Sequence, residues 1–188
     1  MKCKRGRGSV VPIGVFAIVV LSVLVLKAQE EPSRRHNAHE HGVAHLNVAI
    51  EHADLYLEFI SPAANIVGFE HPPRTDGQKA KVNKAVEALK NGEAMILLPP
   101  DVQGWLADCI IDTTIDDEET HDETHEHEGH SEFTAEYHFV SKHPEKLAHI
   151  DVMLIRAFPG IERIEVQLLT GSKQTALELT AKQNRIPF

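Results

Sequence analysis

The chain has 188 residues, 42% of them apolar, and a formal net charge of −9 from 19 basic and 28 acidic residues. That length holds one domain and little more, and the apolar content excludes wholesale disorder. The acidic balance excludes a nucleic-acid partner, which needs a basic face, and two cysteines are too few for a Cys-ligated zinc finger or a disulfide scaffold.

Lys2, Lys4, Arg5 and Arg7 precede an apolar run from Val10 to Leu26, and Lys27 to Glu30 is polar again. This is the layout of a secretory signal, with cleavage expected after Ala28. The alternative is an uncleaved anchor, although the run is slightly shorter than the roughly 20 residues that span a bilayer. Either form places the remainder in the periplasm, with the membrane involved only through residues 1–28. Removing those residues takes away five basic groups and no acidic one, so the net charge becomes −14. All 13 histidines stay, and Cys109 is left as a lone cysteine beside Ile110 and Ile111. A buried thiol behaving as a small apolar residue, with no intramolecular disulfide, is the expectation there.

Residues 29–42 are polar and His-rich and read as a flexible arm before a single domain at 43–188. Alternation over 43–50 and 55–60, around Glu51-His52-Ala53-Asp54, predicts a β-hairpin with one buried face. Residues 61–74 lack a period and read as an ordered loop. Thr75 or Asp76 caps a predicted helix to Lys90, with Val82, Ala85, Val86 and Leu89 on one stripe and Asn91-Gly92 as its stop. Strands are predicted at 95–98 and at 105–115, the latter with an irregularity near Asp108. After a change of composition at 116–131, further strands are predicted at 133–139, 152–158, 164–168 and 176–179. Pro144 opens a short helix to about Ile150. The sum is an α+β fold, a mostly antiparallel sheet with one or two covering helices and a disordered His/Asp/Glu-rich loop.

Eight of the 13 histidines fall in two groups, His36, His39, His41 and His45, and His121, His125, His127 and His130. The second lies in a window, 116–132, with nine carboxylates and no lysine or arginine. Such a segment cannot bury enough surface to offset its ordering entropy. Imidazole nitrogens with carboxylate oxygens are a usual ligand set for Zn(II), and a divalent ion relieves carboxylate repulsion. Other divalent transition metals fit the same donors. The bland alternative is a solvated acidic loop. His39, His41 and the strand residue His45 form a second candidate site, against a merely disordered arm. His71, in an irregular loop, has a hydrogen-bonded loop residue as its bland reading.

His39-Glu40-His41-Gly42, then Ala44 and Leu46 to Ile50, Ser61 to His71, the acidic histidine tract, Phe133 to Phe139 and Phe158 to Glu162 together resemble the zinc-regulated periplasmic family ZrgA. The resemblance implies a Gram-negative periplasmic protein that binds zinc and assists its uptake. It also implies a role for the segment at 116–132, and adds weight to His39, His41 and His71. Members often carry a second cysteine shortly after the strand matching Phe133 to Phe139. Val140-Ser141-Lys142 stands there, so a family disulfide at Cys109 is not expected.

The leading expectation is therefore a periplasmic protein that captures Zn(II) and assists its delivery to a zinc importer or that importer's periplasmic binding protein. One alternative is a metal-regulated interaction module that docks through an exposed strand edge. A zinc-dependent hydrolase is disfavoured, because no H-E-x-x-H or nucleophile elbow is present and His39-Glu40-His41 has the wrong spacing. No enzymatic activity is expected.

Overall fold

The computed structural model describes residues 4–5, 40–115, 131–171 and 173–188. The apolar leader run, the arm before Glu40 and the tract at 116–130 lie outside the described residues. In chain order the strands are β1 (Lys4–Arg5), β2 (Val43–Glu51), β3 (Asp54–Pro62), β4 (Ile96–Leu97), β5 (Gly104–Thr113), β6 (Glu132–Ser141), β7 (His149–Val152), β8 (Arg163–Thr170), β9 (Lys173–Thr180) and β10 (Arg185–Pro187). The helices are α1 (Ala63–Val67), α2 (Asp76–Lys90), α3 (Gly92–Met95) and α4 (Leu154–Ala157). A seven-stranded sheet has the order β1-β5-β6-β3-β2-β8-β9, and a three-stranded sheet the order β10-β7-β4. Among the described residues no helix is long and apolar enough to cross a membrane.

The predicted hairpin is β2 with β3, antiparallel and in register from His45↔Ile60 to Glu51↔Asp54. Its alternation puts Leu46, Val48, Leu57 and Phe59 into the core. Phe133, Tyr137 and Phe139 of β6 and Ile111 of β5 continue that face, and Ile164 and Val166 of β8 complete it. Helix α2 packs its stripe of Val82, Ala85, Val86 and Leu89 into the same core, together with Ile96, Ile150, Val152 and Ile186 of the small sheet. Burying a large apolar side chain contributes about 1.5–3 kcal/mol, so this layer supplies most of the driving force. Helix α2 starts where the sequence places it. Thr75 accepts from the Gln78 N–H, and the Gln78 side chain accepts from the Thr75 N–H, a reciprocal capping box. The irregularity near Asp108 is a register shift between Leu106 and Asp108 where β5 pairs β6.

Four elements differ from the sequence reading. The loop at 61–74 contains α1, which Gly68 closes in the left-handed conformation. The strand expected at 95–98 is reduced to β4, because α3 takes Gly92–Met95. The helix opened by Pro144 is a single 3-10 turn ending at Lys146, and His149–Val152 is strand instead. The apolar run at 152–158 splits into the end of β7 and α4, an ambiguity that periodicity cannot resolve in so short a run. Cys109 is buried as expected, at 4% exposure, but it is disulfide-bonded rather than a lone thiol. The expectation counted only the residues after the leader. The other cysteine of the sequence, Cys3, lies outside the described residues, and the adjoining Lys4–Arg5 pairs in parallel with Ile110 and Ile111.

The outer face of the seven-stranded sheet is polar. Glu58 lies directly opposite Glu136 there, and Asp112 is nearby on β5. Partial burial, then the carboxylates of Glu58 and Asp112, push Glu136 above the ordinary carboxylate range. A raised acid disfavours the ionised folded state, so its cost is present at neutral pH and vanishes as pH falls through the folded-state pKa. Glu136→Gln is expected to stabilise the protein by a few tenths of a kcal/mol at neutral pH, roughly the size of one like-charge cross-strand pair. Thermal melts of the two proteins should converge in acid. A variant no more stable at neutral pH would refute this.

Strand direction decides where the site lies. β3 runs antiparallel to β2, β6 to β3 and β5 to β6, so the start of β2, the end of β3, the start of β6 and the end of β5 share one rim of the sheet. β8 pairs β2 in parallel, Val43↔Arg163 to Ile50↔Thr170, and brings its own start to that rim.

Candidate metal centre

The rim is knotted around Asn65, which is 5% exposed. Its side-chain oxygen accepts the Gly42 N–H at 2.8 Å, and its side-chain nitrogen donates to the Val43 carbonyl at 2.8 Å. Asn65 thus serves the first residues of β2 as a short strand partner would. The Gly42 carbonyl accepts from the N–H groups of Glu162 (2.7 Å) and Arg163 (3.0 Å). Gly42 has φ +84°, a region costly for residues with a Cβ, and a Cβ there would meet Glu162 at 3.0 Å. These bonds fix the chain on the C-terminal side of His41.

Facing His41 is the segment after α1. Ser131, the first described residue after the acidic tract, donates its hydroxyl to the Glu70 carbonyl at 2.7 Å, and its own carbonyl accepts the Ala63 N–H at 2.8 Å. Near the entry to the tract, the Thr113 hydroxyl and the Thr114 N–H both donate to the Glu132 carbonyl, at 2.9 and 3.2 Å. Both ends of the tract are therefore fastened to the rim, one of them directly to the segment that carries Glu70.

Between these walls lies an open cleft of about 500 Å³ with His41, Asn65, Phe69, Glu70 and Glu162 on its walls. His41 Nε2 and Glu70 Oε1 stand 3.5 Å apart. Zinc bonds of about 2.0–2.2 Å in a tetrahedron place two ligand atoms roughly 3.3 Å apart. The pair thus has nearly the spacing of two ligands of one ion and the right donor chemistry.

Other histidines have other settings. His71 Nδ1 donates to the Pro72 carbonyl at 2.9 Å, since a carbonyl can only accept, and its ring stacks on Phe69 at 5.1 Å. In the neutral ring this leaves Nε2 as the nitrogen with the lone pair, the arrangement usual for a metal-binding imidazole. His45 projects from the outer sheet face, with Nδ1 3.6 Å from Glu165. There Arg163 bonds Glu40 at 2.9 Å and lies 3.8 Å from both Glu165 and Glu178. His138 bonds Asp54 at 2.7 Å under a stacked Tyr56, on the same outer face but two rungs further from the rim.

Of the candidate ligands, His41, His45 and His71 fall among the described residues, and His39, His121, His125, His127 and His130 fall outside them. His41 lines the cleft, whereas His45 and His71 do not. Among the described residues no three His, Cys, Asp or Glu side chains stand together as a ready cation site. Sequence reasoning did not single out Glu70, Glu162 or Asn65 as site residues. The adjacency of Glu70 to His71 was the available signal, but an isolated carboxylate or amide acquires a role only from the partners that tertiary structure gives it.

A family model described as ZrgA family zinc uptake protein matches residues 38–188, a span that includes the cleft, both of its anchoring segments and the acidic tract. No curated protein matches the chain.

Proposed function

We propose that this chain, which belongs to the ZrgA family of zinc uptake proteins, captures Zn(II) in the periplasm and assists its delivery to a zinc importer. The observation that carries the reading is the shared rim. Two histidine-rich stretches some 80 residues apart in sequence attach to the same end of the sheet, beside His41 and Glu70 at 3.5 Å. Zinc is cargo here. His41 and Glu70 supply two donors with suitable spacing, and further imidazoles come from the arm and the tract. An open cleft suits capture and release better than a closed structural site, which holds its ion with four protein ligands. The acidic tract raises the local concentration of cations, and its imidazoles take those with an affinity for nitrogen. A periplasmic binding protein of the importer is the natural acceptor. Binding rather than catalysis is proposed, since delivery needs no positioned general base.

The test is calorimetric titration of zinc into the exported protein and into a version with residues 116–130 replaced by a short Gly-Ser linker. Zinc stoichiometry should fall while the melting temperature without metal is retained, because the strand ends are bonded to each other beneath the tract. Unchanged stoichiometry would remove the tract from the mechanism. Cell fractionation tests the periplasmic location.

A further inference from the structure

Strand β9 forms one edge of the seven-stranded sheet. Its backbone groups can be assigned to sides. Thr180 exchanges both hydrogen bonds with Gln183, N–H to carbonyl in each direction at 3.0 and 3.1 Å, on the side away from β8. The N–H and C=O of one strand residue point the same way, and successive residues alternate. Gln174, Ala176 and Glu178 therefore present their backbone groups outward, whereas Lys173, Thr175, Leu177 and Leu179 bond to β8. Pairing with β8 is continuous from Arg163↔Thr180 to Thr170↔Lys173, with no bulge. β9 contains no proline, and its one lysine sits at the strand end with its backbone turned inward. Among the described residues the outward-facing rungs carry no proline, bulge or lysine, and their one charge is Glu178. At the other side of the sheet β5 is bulged and β1 lies beside it.

The edge is also complementary to itself. Two copies of β9 related by a two-fold axis through Ala176 would pair Gln174 with Glu178 of the partner, Ala176 with Ala176, and Glu178 with Gln174. All three are pairs of outward-facing residues, and each can exchange two N–H···O bonds. Their side chains share the outer sheet face. The Gln174 amide there meets the opposing Glu178 carboxylate twice, donor to acceptor, with no like charges opposed. Alanine at the axis leaves room for the backbones to approach. Glu178 otherwise lies opposite Glu165 of β8, and the opposing amide adds a donor to that acidic pair. The turn at Thr180–Gln183 ends the open edge at one end and the hairpin tip at Gly171 ends it at the other, so the free length of the edge matches itself.

We propose that the protein forms a two-fold dimer through β9, joining two seven-stranded sheets into one. This inference does not depend on the zinc reading. Sedimentation equilibrium of the purified protein, from low micromolar to near-millimolar concentration, should show a monomer–dimer equilibrium. Gln174→Glu opposes two carboxylates at each of two symmetry-related positions and should weaken the dimer about tenfold. Adding Glu178→Gln restores a Gln–Glu pair at both positions and should recover the dimer. Ala176→Pro deletes an outward N–H and should leave a monomer with a near-normal melting temperature. A protein that stays monomeric throughout, or a dimer indifferent to Gln174→Glu, would overturn the proposal.

Discussion

Replacing His41 by alanine and Glu70 by glutamine together is expected to weaken the tightest zinc site by about 100-fold or more. Loss of a second-shell partner alone reduces metal affinity 10–100-fold, and these two residues stand 3.5 Å apart on the cleft wall. His41 is three-quarters exposed, so its loss should leave folding stability within about 0.5 kcal/mol. Titration against a competing chelator, with thermal melts of the metal-free proteins as control, separates the two effects. If affinity is unchanged, the cleft is not the site and the zinc is held entirely by the arm and the tract. The single variants should each show most of the loss, because a two-donor foothold without one donor no longer chelates.

The largest effect on folding in this region is expected from Gly160→Ala. A Cβ at Gly160 would run into the Asn65 carbonyl oxygen and lie about 3 Å from the Asn65 backbone carbons. Backbone cannot swing aside as a flexible side chain does, so either α1 or the turn before β8 must shift. Overpacking of this kind destabilises by about 1–3 kcal/mol. The displacement also acts on the amide that pins Gly42 and Val43, so zinc affinity should fall along with stability. Denaturant unfolding and zinc titration of the same sample test both. Gly68→Ala is the control, since nothing lies within 4 Å of its Cβ and only its φ of +86° opposes the change. If Gly160→Ala is as stable as the parent, the close approach of the Gly160 turn to α1 carries no weight.

The parts of the fold legible in the sequence are those set by local rules. Alternation marked β2, β3 and β6, and a capping residue at Thr75 or Asp76 marked the start of α2. The irregularity of β5 was visible because its alternation slips by one residue near Asp108. The parts that were not legible depend on distant partners. Nothing local to Arg163–Thr170 says that β8 lies parallel to β2, yet that pairing brings the Gly160 turn against Asn65. The same limit applies to the site. The histidines stood out by number, but Glu70 and Asn65 look like any other polar loop residues until Ser131, Gly42 and Val43 are brought to them. His45, grouped with His41 by sequence proximity, is parted from it because β2 begins only at Val43 and the left-handed Gly42 turns the chain between them.

The fastening of the tract at Thr113, Thr114, Ser131 and Glu132 has a consequence for how such a protein can change over time. The hydrogen bonds from Thr113 and Thr114 to Glu132 tie the two strand ends directly to each other, so that junction does not depend on which residues stand between 116 and 130. Lengthening the connection between two joined strand ends is inexpensive, at about 0.6 kcal/mol for each doubling. Histidines and carboxylates can therefore be gained, lost or shuffled between 116 and 130 with little penalty to folding. If the tract binds zinc as proposed, metal capacity and the stability of the scaffold become separately heritable traits, and descendants facing different zinc supplies can adjust the first without re-evolving the second.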